Sequence, residues 1–323
     1  MKAIVAVLAR TALLVLTAGA CWQGADAGDF PQRPIRFILG FGTAGPTDVI
    51  ARTLADQLSK DLAQRVIVEN RPGASGNIAT QAVALADADG YTYLVGATPF
   101  AVNHSLFPDF PVQFGKDLMA IAPVGANANV LVARPSLHVS SVAGLIKRAR
   151  MKANGVTYAT VGLGSSSHLA GVALDLRAGT TMLPVSYRGG GEALKDLLSG
   201  RVDAWFAPVP SVLGAIQSGQ LLALATTAPQ RVAQLPDVPT MVEMGFPGFD
   251  IRLWVGLFAR TGVPADAVSV MRQAVARAMA STEFQTALET QGITTLAMSP
   301  AEFSAFVAED IKHWQTVVAA IRK

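Results

Sequence analysis

The residues of this sequence best suited to chemistry lie in short turns rich in glycine and hydroxyl side chains, and what such turns do well is hold an anion. In FGTAGPTD, Phe41 to Asp48, Gly42 and Gly45 let the backbone approach a ligand, and Gly45 leaves a positive φ open. Pro46 suits the first position of a helix and Thr47 adds a hydroxyl donor. A helix start carries unpaired N–H groups and about half a positive charge, so it can hold a carboxylate without a basic side chain, and this loop contains none. Asp48 falls in the first helical turn, where capping suits it better than contact with an anion that would repel it. A second turn, GLGSSSH from Gly162 to His168, places three serines ahead of Leu169, Val172 and Leu176. One serine must cap the helix, which leaves Ser165 or Ser166 to donate to a ligand, with His168 as a structural donor on the first turn. In SYRGGGEA, Arg188 follows Tyr187 and either pairs with a second carboxylate or lies solvated.

Rival chemistries fit these residues poorly. Gly40, Gly42 and Gly45 spell GxGxxG, yet Glu69 lies beyond the ~20-residue spacing of a dinucleotide site. No GxSxG elbow surrounds the serines, and His168 is too near Ser165 and Ser166 along the chain to serve as their base. The four histidines, at positions 104, 138, 168 and 313, have no metal-ligand spacing. The sequence therefore predicts a binding protein without catalytic residues, metal or cofactor.

The turns need elements to position them, and the pattern supplies strand-turn-helix units. Ile35 to Leu39 precede Ile50, Leu54, Leu58 and Leu62 at helical spacing; Tyr91 to Val95, Val156 to Thr160 and Leu183 to Tyr187 each lead into a similar unit. Alternation of this kind predicts an α/β fold with mostly parallel sheets flanked by helices, and ligands in such sheets bind outside the carboxyl ends of the strands. Ala133 to Ser141 and the proline-rich Pro229 to Asp250 read as connections. Two helices close the chain. One starts after Pro264 and carries Val268, Met271 and Val275 on one face; the other follows a Ser299–Glu302 capping box and carries a core stripe of Phe303, Phe306, Val307, Trp314 and Val318.

With 323 residues the chain exceeds what one core supports, so two domains are expected. The net charge of +3, with no basic run interleaved with aromatics, argues against a nucleic-acid partner. Lys2, Arg10 and the short apolar run Thr11 to Ala20 read as a secretory signal, with a cut after Ala27 at the small residues Ala25 and Ala27. The only cysteine, Cys21, leaves with that signal; Ala18, three residues before it, is not the leucine that lipidation prefers.

Six segments, IRFILGFGTAGPTDVIAR, VIVENRPGASGNIAT, ADGYTYLVG, YATVGLGSSSHLAG, SYRGGGEALKDLLSGRVDAWF and LPDVPTMVEMGFPGFD, resemble in order the signature segments of the Bug family. These are substrate-binding proteins of tripartite tricarboxylate transporters. The resemblance implies a periplasmic-binding-protein-like fold whose cleft closes on a carboxylated solute, held mostly by backbone groups and waters. It implies a signal peptide over 1–27, one lobe from 28–126 and 251–323, a second from 127–250, and a periplasmic location. Carried onto this sequence, the site comprises Phe41, Gly42, Thr43, Ala44, Gly45, Thr47, Asp48, Ala97, Thr98 and Asn103 in the first lobe. Gly162, Gly164, Ser165, Ser166, His168, Tyr187, Arg188, Phe206 and Pro208 face them from the second. The implied partners are a small organic carboxylate and a cognate membrane permease or a sensor protein, met by a monomer. Gly40 stands where the family usually has proline, Ala44 interrupts its double glycine, and Ala207 and Pro208 leave few donors for a second carboxylate.

Overall fold

Alternation within the first strand shows how the fold is built. In β1, Ile35–Leu39, the side chains of Ile35, Phe37 and Leu39 enter one buried cluster while Ile38 enters another. A strand buried on both faces reads as nearly continuous apolar sequence, which is what IRFIL shows. The computed structural model describes residues 30–43, 45–153 and 155–321. The expected signal peptide with its cut after Ala27, Cys21 and Ala44 lie outside the described residues.

The first sheet has six strands. β1 pairs in parallel with β2, Val66–Asn70, and β3, Thr92–Ala97. The antiparallel part consists of β10, Leu253–Arg260, against β3 and β4, Leu118–Asn127, with β11, Ile293–Thr295, outside β4. Helix α1, Pro46–Asp61, turns Ile50, Leu54 and Leu58 onto one face of this sheet. Helices α2, Asn77–Ala84, and α3, Thr98–Leu106, place Val83, Phe100 and Val102 in the cluster on the other face.

The second sheet has five strands in the order β7-β6-β8-β5-β9: Leu183–Ser186, Thr157–Thr160, Ala204–Pro208, Asn129–Ala133 and Leu222–Thr226. It carries α4, Val142–Met151, α5, Ser166–Ala178, α6, Gly190–Leu198, and α7, Val209–Gln217. Each sheet mixes directions: β10 and β11 run against β1 to β4 in the first, and β5 runs against β6 to β9 in the second. β4 ends in the first sheet at Asn127 and β5 opens the second at Asn129; the chain comes back in β10.

The closing elements form as their local sequence predicts. α8, Ala265–Ala280, buries Val268, Met271 and Val275; α9 spans Thr282–Glu289. The capping box forms ahead of α10, Pro300–Ile321: Ser299 N donates to Glu302 Oε2 at 2.7 Å and Glu302 N to Ser299 Oγ at 3.2 Å. Phe303, Val307, Trp314 and Val318 are buried, the core role expected of that stripe.

The return crossing is pinned from two sides. Thr98 Oγ1 donates to Arg252 O at 2.9 Å and accepts from Trp254 N at 3.0 Å, and Trp254 Nε1 donates to Asp310 Oδ2 at 2.8 Å. Burial pushes the Asp310 carboxyl up from 3.8 to about 6, against the pull of the Trp254 indole. Between those values the folded chain binds the proton and the unfolded chain does not. Stability from this group is therefore highest at acid pH, falls as pH rises from about 4 to about 6, and is flat above. Replacing the carboxyl with an amide in Asp310→Asn keeps an acceptor for Trp254 and removes the slope. We expect the variant to gain on the order of 2 kcal/mol over the parent at neutral pH and nothing at pH 4, read by urea denaturation across that range. Parallel curves at all pH values would place the titration elsewhere.

Candidate ligand site at the strand ends

The first loop is braced from below. Asn70, the last residue of β2, donates through Nδ2 to Phe41 O at 3.0 Å and to Asp48 Oδ1 at 2.8 Å. Arg52 closes the bracket, with Nε on Asp48 Oδ2 at 3.0 Å and Nη2 on Asn70 Oδ1 at 2.9 Å. Asp48 thus acts as a buried strut between Asn70 and Arg52, and the N-cap position belongs to Gly45. Gly45 has φ −81° and ψ 165°, extended backbone that any residue adopts, so the positive φ allowed for it is not used. Its value is space: a Cβ there meets only Gly42 O, at 3.9 Å, and a Cβ on Gly42 meets nothing within 4 Å. Thr47 at the helix start is 4% exposed, and among the described residues its hydroxyl has no hydrogen-bond partner. The first-turn amides of α1 also lack i−4 carbonyls, so donors converge here with Arg52, already paired to Asp48, as the nearest cation in sequence.

The second loop contributes less than its residues suggest. Ala97 is the N-cap of α3, but the Thr98 hydroxyl both donates and accepts within the return crossing, so what remains to a ligand is its backbone N–H. Asn103 Nδ2 donates to Asn77 Oδ1 at 2.7 Å and Ser75 O at 2.9 Å, while its Oδ1 is buried without a partner among the described residues.

On the second sheet, Gly162 and Gly164 adopt φ of 118° and 75°, which lets the loop fold over the start of α5. Ser165 is the cap: its Oγ accepts from His168 N at 3.3 Å, donates to Gly162 O at 2.7 Å and lies 3.0 Å from Ser167 Oγ. Ser166 is 7% exposed, and its hydroxyl has no partner among the described residues. Of the two serines, Ser166 is the one left to donate. His168 accepts at Nδ1 from Gly164 N at 3.4 Å, so it is an acceptor in this turn, not the donor expected; burial holds the imidazole below its usual pKa and hence neutral. Among the described residues, no hydrogen bond joins these serine hydroxyls to an imidazole or a carboxylate.

Three sequence candidates have other work. Tyr187 donates its hydroxyl to Asp196 Oδ2 at 3.1 Å, Phe206 is fully buried and stacks on Phe249 at 6.3 Å, and Pro208 is the N-cap of α7. Phe206 therefore exposes no surface in this conformation. Arg188 is exposed, and its backbone N donates to Glu192 Oε2 at 3.3 Å. Glu69, the acid of the dinucleotide alternative, accepts from Arg36 at 2.6 and 2.9 Å and from Arg71 at 3.0 Å.

The structure adds a loop that the site residues read from sequence omit. Residues 73–76, in RPGASGN, bring Gly76 against Phe41 and Gly40, receive Asn103 on Ser75 O, and reach the other sheet through Ser75 Oγ, which donates to Leu163 O at 3.2 Å. Beside it, a Cβ on Gly164 would lie 3.0 Å from Leu106 Cδ1 and 3.8 Å from Asn103 Oδ1. Loops 41–48, 73–77, 97–103 and 162–168 therefore meet between the sheets. The two closely spaced glycines of PGASG were the available signal.

The TctC family, described as tripartite tricarboxylate transporter family receptor, matches residues 50–322. Protein BugT of Bordetella pertussis is 37% identical over 313 residues, 96% of each chain. Two solved structures superimpose closely: Rpa4515 of R. palustris with adipate, at TM-score 0.81 and 30% identity over 90% of this chain and 98% of that one, and MatC of Rhodopseudomonas palustris with bound malate, at 0.80 and 30% over 90% and 100%. With its two-lobed α/β architecture and a family match over most of its length, this chain belongs to the tripartite tricarboxylate transporter family of receptors.

Proposed function

We propose that the protein is exported, cut after Ala27, and binds one small organic carboxylate between the lobes without turning it over, then presents it to a membrane permease. The observation that carries this reading is the pair of unpartnered hydroxyls, Thr47 and Ser166, at two helix starts on different sheets. Each start offers orphan amides and a partial positive charge, and neither hydroxyl has a hydrogen-bond partner among the described residues. Two such ends suit a solute with a carboxylate at one end and a second acceptor at the other. The adipate and malate carried by the related structures make dicarboxylates the first class to test. The lobes proposed are 28–126 with 251–323, and 127–250; sheet membership supports them, since β4 and β10 belong to the first sheet and β5 to β9 to the second. No step in this reading calls for a metal or cofactor.

A thermal-shift screen of mono-, di- and aromatic carboxylates tests the proposal. A ligand at 100 times its dissociation constant should stabilise the fold by ~2.7 kcal/mol. A panel in which no carboxylate raises the melting temperature, while amines or sugars do, would overturn it.

A further inference from the structure

We propose that Ser75 is a closure latch, a positioning residue that ties the lobes together over the solute without touching it. The inference rests on reading the space between the sheets as the ligand cleft. Four consecutive residues, Gly73 to Gly76, have φ of 137°, 47°, 54° and 93°, so Ala74 and Ser75 both occupy the left-handed region that L side chains avoid. Such a conformation persists only where its surroundings over-determine it. Here they do. Gly76 N donates to Gly73 O at 2.9 Å, Thr80 Oγ1 to Gly76 O at 3.0 Å, and Asn103 Nδ2 to Ser75 O at 2.9 Å, while Phe41 packs beneath Gly76.

What the strained turn achieves is a direction. Its backbone is bonded to the first lobe by Thr80 and Asn103, yet the Ser75 hydroxyl projects across to Leu163 O at 3.2 Å. Leu163 is 52% exposed and sits between Gly162 and Gly164, in the loop that folds over the start of α5. The bond therefore links the two ligand loops and involves no ligand group. It exists only when the lobes are close, so its free energy counts toward the closed state alone. A residue with that property changes how long a solute stays, and changes it equally for every solute.

The test uses Ser75→Ala, Ser75→Gly and Ser75→Asn in a protein spin-labelled at Asp56→Cys on α1 and Lys147→Cys on α4, both exposed and on different sheets. No native cysteine lies in 30–321 to interfere. Without ligand, Ser75→Ala and Ser75→Gly should shift the label distances toward longer separations, while Ser75→Asn, which tolerates the left-handed region and keeps a donor, should restore the parent distribution. With adipate and malate as probes, both removals should weaken each acid by the same ~2 to 12-fold, mostly through faster dissociation. Unchanged distances together with unchanged dissociation rates would overturn the latch. So would a shift in the adipate-to-malate ratio, which would make Ser75 a ligand contact. If neither acid binds the parent, these two acids are not its solutes, the carboxylate reading stays with the thermal-shift panel, and the label distances alone decide the latch.

Discussion

Gly40→Val should cost at least ~3 kcal/mol of stability, whereas the same change two residues later, Gly42→Val, should leave the fold within ~0.5 kcal/mol. The difference comes from what each side chain would meet. A Cβ on Gly40 would lie 2.5 Å from Gly76 Cα, 3.1 Å from its O and 3.3 Å from its C, all backbone atoms of the strained turn. A side-chain clash can be relieved by a rotamer change, but this one requires residues 73–76 to move, and hydrogen bonds from Thr80 and Asn103 together with Phe41 hold them. For lobes of this size the loss corresponds to a melting temperature lower by roughly 6 to 12 °C. Gly42 faces open space, so its variant should melt normally and lose ligand instead, because the new side chain fills the approach to the helix start. Calorimetric melts of both variants decide the point. Equal destabilisation would show that loop 40–45, and not the contact with Gly76, limits what position 40 accepts.

The close approach of residues 40 and 76 depends on both being glycine, since a Cβ on Gly40 would reach the Gly76 backbone. That coupling was invisible in the sequence, because the two glycines are far apart in the chain and nothing in either segment reports the other. Features set by neighbouring residues were legible: β1 at Ile35–Leu39, the Val268, Met271 and Val275 face of α8, and the reciprocal Ser299–Glu302 cap all follow from period and capping chemistry. Strand direction was not. β10 reads LWVGLFAR, as apolar as a buried parallel strand, and only its place in the crossing makes it antiparallel to β3 and β4.

Within the site, residue type pointed to the right loops and stopped short of assigning roles. Thr98, Tyr187 and Ser165 carry hydroxyls indistinguishable in sequence from those of Thr47 and Ser166, but the folded chain consumes the first three in the return crossing, in Asp196 and in the cap of α5. Polar groups already paired inside the protein have little left to offer a ligand, whereas unpaired ones lose nothing by meeting it. Partner accounting, which needs coordinates, therefore sorts the candidates.

That accounting yields the last expected result: Thr47→Val should weaken carboxylate binding by ~10 to 150-fold, the range for one hydrogen bond to a charged group. Valine nearly matches threonine in shape, so the buried start of α1 stays filled and only the unpartnered hydroxyl is lost. Ser166→Ala should show a comparable loss for a solute that reaches the second helix start and little for one that does not. Ser165→Ala separates cap from ligand contact: removing the hydroxyl that receives His168 N should lower stability by about 1 kcal/mol while affinity changes less. Gly45→Val, in backbone that tolerates any residue, should fold normally and bind poorly, through crowding alone. Arg188 is exposed and remote from these hydroxyls in hydrogen bonding, so Arg188→Ala should matter only for a solute with a second carboxylate. Calorimetric titration of the five variants with the acid found by screening reads all of this. If Arg188→Ala abolished binding of a monocarboxylate while Thr47→Val and Gly45→Val left it intact, an ion pair would hold the solute, and the helix starts would be structural.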